Sequence, residues 1–149
     1  MRNLIVGICL LLPTFCTAGE IYLTIPIASW HSDRQRENNK GSYEQTNPGL
    51  GLEYLINDRW RLGAGMYRSS IRTDSGYVGA AYLPLYLNAL NIRLGVSVGL
   101  VSGYEGNLLP VIVPTAMLEW KRFGVNFMLV PPYDNQPGGI GFVLKWKLN

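Results

Sequence analysis

His31 is the single histidine of the chain and closes the run Ile25-Pro26-Ile27-Ala28-Ser29-Trp30-His31. An imidazole changes charge near neutral pH, which suits it to taking up and returning a proton. Taken alone, a histidine beside a tryptophan reads first as a structural residue at a membrane–water interface. Two hydroxyls adjoin in Tyr67-Arg68-Ser69-Ser70, but serines are common at strand ends and the spacing by itself assigns them no role. Both cysteines, Cys9 and Cys16, lie in the first nineteen residues. One histidine without downstream thiols excludes the common transition-metal clusters. No phosphate-cradling loop occurs, because Gly63-Ala64-Gly65 lies mid-strand and reads as small inward side chains. The segment 32–47 mixes Asp33, Glu37 and Glu44 with Arg34, Arg36 and Lys40. Its arginines suit phosphate groups, while a solvated loop is the simpler reading. No cofactor is implied.

The elements that must position these groups begin after residue 19. Arg2, the apolar run from Leu4 to Leu12 and the small residues after Pro13 make the three-part pattern of a secretory signal peptide, with cleavage expected after Ala18 or Gly19. The apolar run is too short to span a bilayer as a helix. A buried N-terminal helix would find nothing helical to pack on, and Phe15 and Pro13 suit a lipoprotein anchor on Cys16 poorly. Residues 20–149 are then one domain. Without Arg2, twelve Lys and Arg face ten Asp and Glu, a net charge of +2 with no long basic run, so nucleic acid is not an expected partner.

Hydrophobic content is 48%, yet it is interrupted everywhere downstream, which suggests strands. Strands are expected near 20–31, 48–56, 60–70, 77–87, 91–102, 110–120, 124–131 and 139–148. Ile92, Leu94, Val96, Val98 and Leu100 alternate with Arg93, Gly95, Ser97 and Gly99. Ile140, Phe142, Leu144, Trp146 and Leu148 likewise oppose Gly141, Lys145 and Lys147. Connections at 57–59, 88–90 and 121–123 are short, whereas those at 32–47, 71–76, 103–109 and 132–138 are longer. Period two, strands of about ten residues and loops that alternate in length predict an all-β fold, an eight-stranded antiparallel transmembrane β-barrel. Both termini would face the periplasm, and Trp30, Trp60, Tyr77, Trp120 and Trp146 would form interfacial girdles. A soluble sandwich or lipocalin-like barrel uses the same alternation with the apolar face inward. The signal peptide and the small, polar opposite face favour the membrane.

The run from Ile25 to His31 resembles the first strand of the outer-membrane lipid A palmitoyltransferases (PagP). Leu109-Pro110-Val111-Ile112-Val113-Pro114 is similar to that family's sixth strand, and Val130-Pro131 with Tyr133-Asp134-Asn135 to the end of its seventh. The similarity covers nearly all of the chain beyond residue 19. It implies transfer of a palmitoyl group from a phospholipid to lipid A in the outer leaflet, by a monomer in the outer membrane of a Gram-negative cell. His31 matches the family's catalytic histidine and Ser70 its serine. Pro26, Pro48, Pro114 and Pro131 match positions flanking two lateral openings in the wall. Proline gives no N–H to a ladder, so such positions leave pairing incomplete. Ala81 stands where the family has a glycine at the floor of its acyl pocket, which implies a slightly shorter chain.

The resemblance has departures. Ser69 stands where the family has Asp, so a hydroxyl that can orient the imidazole replaces a carboxylate that also balances its charge. Asp33, Glu37 and Asp74 are candidates to substitute. The family's amphipathic N-terminal helix is missing, and Trp146-Lys147-Leu148-Asn149 lacks a terminal aromatic. A rival reading is therefore a non-catalytic barrel that binds lipid or serves as a surface or interaction protein. A lipid A deacylase is a third reading, to which the prolines and Trp30-His31 give no support.

Overall fold

The computed structural model describes residues 19–33, 41–104, 107–132 and 137–149. The expected signal peptide, Arg34, Arg36, Glu37, Lys40 and Tyr133-Asp134-Asn135 lie outside the described residues. The eight strands are β1 (Glu20–His31), β2 (Gly49–Leu55), β3 (Trp60–Arg68), β4 (Asp74–Leu87), β5 (Ile92–Tyr104), β6 (Asn107–Trp120), β7 (Phe123–Val130) and β8 (Gly139–Lys147). Each pairs antiparallel with the next, and β8 returns to β1 to close the barrel. Tight turns join strands at one rim. Asn57 Oδ1 accepts from the backbone N–H groups of Arg59 and Trp60, both at 2.9 Å, and Asn91 and Lys121 take left-handed backbone at φ 52 and 55. The other rim carries residues 32–33, 41–48, 69–73, 131–132 and 137–138 of the connecting segments. In place of the longer loop expected at 103–109, β5 and β6 remain paired as far as Tyr104 and Asn107. Tyr104 pairs with Asn107, and Gly103 at φ +87 accommodates the bulge that carries the ladder outward.

The barrel is apolar outward and polar inward. Leu50, Leu52, Met66, Val78, Leu85 and Ile112 are exposed on the outer face, as are Val96, Val98 and Leu100 of β5. Arg61, Lys145, Glu53 and Asn126 are buried within. A water-soluble barrel would reverse this arrangement. At the tight-turn end of the lumen, Glu53 and Glu119 neutralise Arg61 and Lys145. Arg61 Nη1 reaches Glu53 Oε1 at 3.0 Å and its Nη2 reaches Glu119 Oε2 at 2.8 Å. Lys145 Nζ lies 2.7 Å from Glu53 and 2.8 Å from Glu119, and Asn126 donates to Glu53 at 3.2 Å. Above this layer the lumen is lined by small residues, among them Gly51, Gly65, Gly79 and Gly99.

Trp30, Trp60, Trp120 and Trp146 face outward near the strand ends, whereas Tyr77 does not join them. Its side chain crosses the lumen from β4 to β1, where its hydroxyl lies 3.1 Å from Thr24 Oγ1. Gly51 and Gly65 make this crossing possible, because a side chain at either would collide with that hydroxyl. Of the Gly63-Ala64-Gly65 run, the two glycines face inward and Ala64 outward, as strand alternation requires.

Candidate active site

His31 is the last residue of β1, at the rim that carries the longer segments, and pairs with Gly139 of β8. Its ring stacks on Tyr43, with centroids 4.7 Å apart and planes 11° from parallel. The imidazole Nδ1 is buried and has no hydrogen-bond partner among the described residues. Tyr43 is itself 7% exposed and belongs to the segment 41–48, which runs back along β1. Ser29 N donates to Gln45 O at 2.8 Å and Asn47 N to Ile27 O at 3.0 Å, with Ala28 bridging Thr46. The Asn47 side chain clamps two elements. Its Oδ1 accepts from Ser29 Oγ at 2.6 Å, and its Nδ2 donates to the Arg68 carbonyl at 3.0 Å.

Ser69 and Ser70 follow β3 in the turn to β4. Ser70 is 8% exposed, and its carbonyl accepts from Glu44 N at 2.8 Å. One dipeptide thus links the two candidates, with Tyr43 stacked on His31 and Glu44 bonded to Ser70. Ser69 is fully buried and faces its own turn. Its hydroxyl lies 2.7 Å from Thr73 Oγ1 and accepts from Thr73 N at 3.2 Å, while Thr73 Oγ1 donates to Gly103 O at 2.6 Å. Among the described residues no hydrogen bond joins His31 to either serine. Asp74 is exposed and pairs with Arg68 at 3.2 Å, and Glu44 pairs with Arg72 at 3.6 Å. Asp33 lies two residues beyond His31 on the exposed rim.

The four prolines lie beside interruptions in the wall. The β1–β2 ladder ends at Thr24 and Gly51, and β1 is bonded on that side again only from Ile27 to Ser29, by the 45–47 backbone, so the interruption spans Ile25 and Pro26. Pro26 lies just beyond that end, at a register shift against β8, and Pro48 immediately precedes β2. The β6–β7 ladder ends at Thr115 and Met128, so Asn107 to Pro114 pair with β5 alone. Pro131 follows the end of β7. Ala81 packs with Leu83 and Met117 and pairs with Arg61, where the small-residue lumen meets the charged layer.

Tyr43, Asn47, Thr73 and Tyr77 were not candidates from the sequence. Tyr43 carried one signal, a lone aromatic in a segment otherwise polar and rich in Asn, Gln and Ser. No family model matches the chain. It is 27% identical over 138 residues to a protein of Laribacter hongkongensis (strain HLHK9) described as "Lipid A acyltransferase PagP". The match covers 87% of this chain and 66% of that relative's length. The chain is thus similar over most of its length to that acyltransferase, and its closed eight-stranded barrel accords with the fold that the resemblance implies.

Proposed function

We propose that the protein is an outer-membrane acyltransferase that moves a palmitoyl or similar chain from a phospholipid to lipid A. The observation that carries this reading is the joint placement of His31 and Ser70 at one rim, bridged by Tyr43 and Glu44. The apolar outer face and the likeness to a lipid A acyltransferase support it. Residues 1–19 act as a cleaved signal, and residues 20–149 stand as a monomer in the outer membrane, which supplies both substrates. No cofactor takes part.

In this reaction a hydroxyl of lipid A attacks the ester carbonyl of the phospholipid. His31 accepts the proton of that hydroxyl and returns it to the departing lysophospholipid oxygen, so one ester forms as one breaks. Ser70 is the hydroxyl partner at the same rim. Ser69 acts one position earlier by fixing the turn that presents Ser70. The unpaired stretches beside Pro26 and Pro48, and beside Pro114 and Pro131, are the lateral entries for lipid, since unpaired wall is costly in a bilayer unless used. Ala81 is the end of the acyl pocket.

A second reading, a lipid-binding barrel without catalysis, draws on the same rim. His31 has neither a carboxylate nor a serine hydrogen bond there among the described residues. Mass spectrometry of lipid A from Gram-negative cells expressing the protein or His31→Ala separates the two. A species heavier by one acyl chain, present only with the unmodified protein, is the expected result. Unchanged lipid A with a folded barrel in the outer membrane selects the binding protein.

A further inference from the structure

A histidine that becomes cationic during acyl transfer needs something to fix its ring and support its charge. Among the described residues, no hydrogen bond or ion pair joins His31 to a carboxylate. Ser69 stands where the resemblance implies an Asp, and its hydroxyl is committed to Thr73. Asp74 is turned to Arg68, and Glu44 to Arg72. What His31 does meet is the face of Tyr43, 4.7 Å away and within 11° of parallel.

We infer, resting on the acyltransferase reading above, that Tyr43 is a positioning residue for His31, its ring face setting the imidazole plane and stabilising the imidazolium formed in transfer. An aromatic face attracts a cation that lies over it, and more strongly when water is excluded. Tyr43 meets that condition, because it is 7% exposed. The stack is also built from both sides. The backbone of Gln45 and Asn47 is bonded to β1, and that of Glu44 to the turn holding Ser70. A shift of this segment would therefore move the ring partner of His31 and the support of Ser70 together.

The test uses the full chain folded in detergent micelles, with phosphatidylcholine as donor and lipid A as acceptor, comparing Tyr43→Leu and Tyr43→Phe with the unmodified protein. Tyr43→Leu is expected to lower kcat by about 10- to 100-fold while KM stays within about twofold, because orientation rather than binding is lost. Tyr43→Phe keeps the ring face and is expected to stay within about threefold of the unmodified kcat. As His31 is the only histidine, its ring proton resonances report the stack without ambiguity. They should be shifted upfield by the Tyr43 ring current in the unmodified protein and in Tyr43→Phe, and lose that shift in Tyr43→Leu. A folded Tyr43→Leu with unmodified kcat overturns the positioning role alone, as do equal losses in the Leu and Phe variants. Resonances unaltered by Tyr43→Leu overturn the stack itself. An unmodified protein that transfers no acyl chain overturns the acyltransferase reading and this role with it.

Discussion

Ser69 and Ser70 are adjacent and chemically identical, yet their surroundings differ. The Ser69 hydroxyl is buried in a network with Thr73, which continues to the Gly103 carbonyl. Ser70 keeps some access to the rim and is held through its backbone by Glu44. Ser70→Ala should therefore lower acyl transfer by about 100-fold or more while leaving stability within about 0.5 kcal/mol. Ser69→Ala should lose about 1 kcal/mol of stability through the missing turn bond, with transfer kept within about tenfold. Lipid A mass spectra and urea unfolding of the micelle-held barrel read both effects. A reversed pattern would place the reactive hydroxyl at Ser69. Sequence alone could not divide the pair, because the direction of each side chain is decided by the turn, where Arg72 at φ 67 reverses the chain. Tyr43 was hidden for a related reason. Its contact with His31 spans a long connection whose path no local periodicity encodes.

At the scale of elements, alternation is what made the strands readable. A wall one residue thick, with lipid-like surroundings on one side and a narrow lumen on the other, imposes period two on every strand. All eight strands accordingly stand where the pattern put them, and the differences of more than one residue fall at the ends away from the tight turns. β4 begins at Asp74 rather than 77, where paired backbone continues into polar sequence, and β5 and β6 run on to Tyr104 and Asn107, where their ladder continues across a bulge. The interruptions in pairing were suggested only by prolines, and the registers give them extent. Along β6 from 107 to 114, amides directed at β5 are bonded while those directed at β7 have no ladder partner. Hydrogen exchange in micelles should therefore follow strand parity over 108–113, where Pro110 has no amide, with the amides directed at β7 exchanging at least about a hundredfold faster. From Thr115 to Trp120 both sets should be protected. Uniform protection over 108–113 would mean that the β6–β7 wall is closed in solution and would remove the lateral entry proposed beside Pro114 and Pro131.

For the molecule as a whole, the outward apolar face leaves the interior to polar groups, so its stability depends on how well those groups satisfy one another. Glu53 is the centre of that arrangement, accepting from Arg61, Lys145 and Asn126. Tyr22 adds an aromatic face to both cations, 5.7 Å from Arg61 Cζ and 4.8 Å from Lys145 Nζ. Glu53→Gln would leave two buried cations to Glu119 alone, and breaking a buried ion pair from one side costs about 3–5 kcal/mol. Removing a cation as well should recover much of that loss. Lys145→Met fits this purpose, since Lys145 Nζ already lies 3.6 Å from the Met117 sulfur and its stem is enclosed. The double variant Glu53→Gln/Lys145→Met keeps Arg61 paired with Glu119. Its urea midpoint should therefore lie clearly above that of Glu53→Gln and below that of the unmodified barrel. If the single variant unfolds within about 0.5 kcal/mol of the unmodified protein, charge balance is not what holds the tight-turn half of the lumen. Stability would then rest on the backbone ladders and the outer apolar face. If the double variant is as weak as the single one, the bonds from Glu53 to Arg61 and Asn126 matter more than the net charge they enclose.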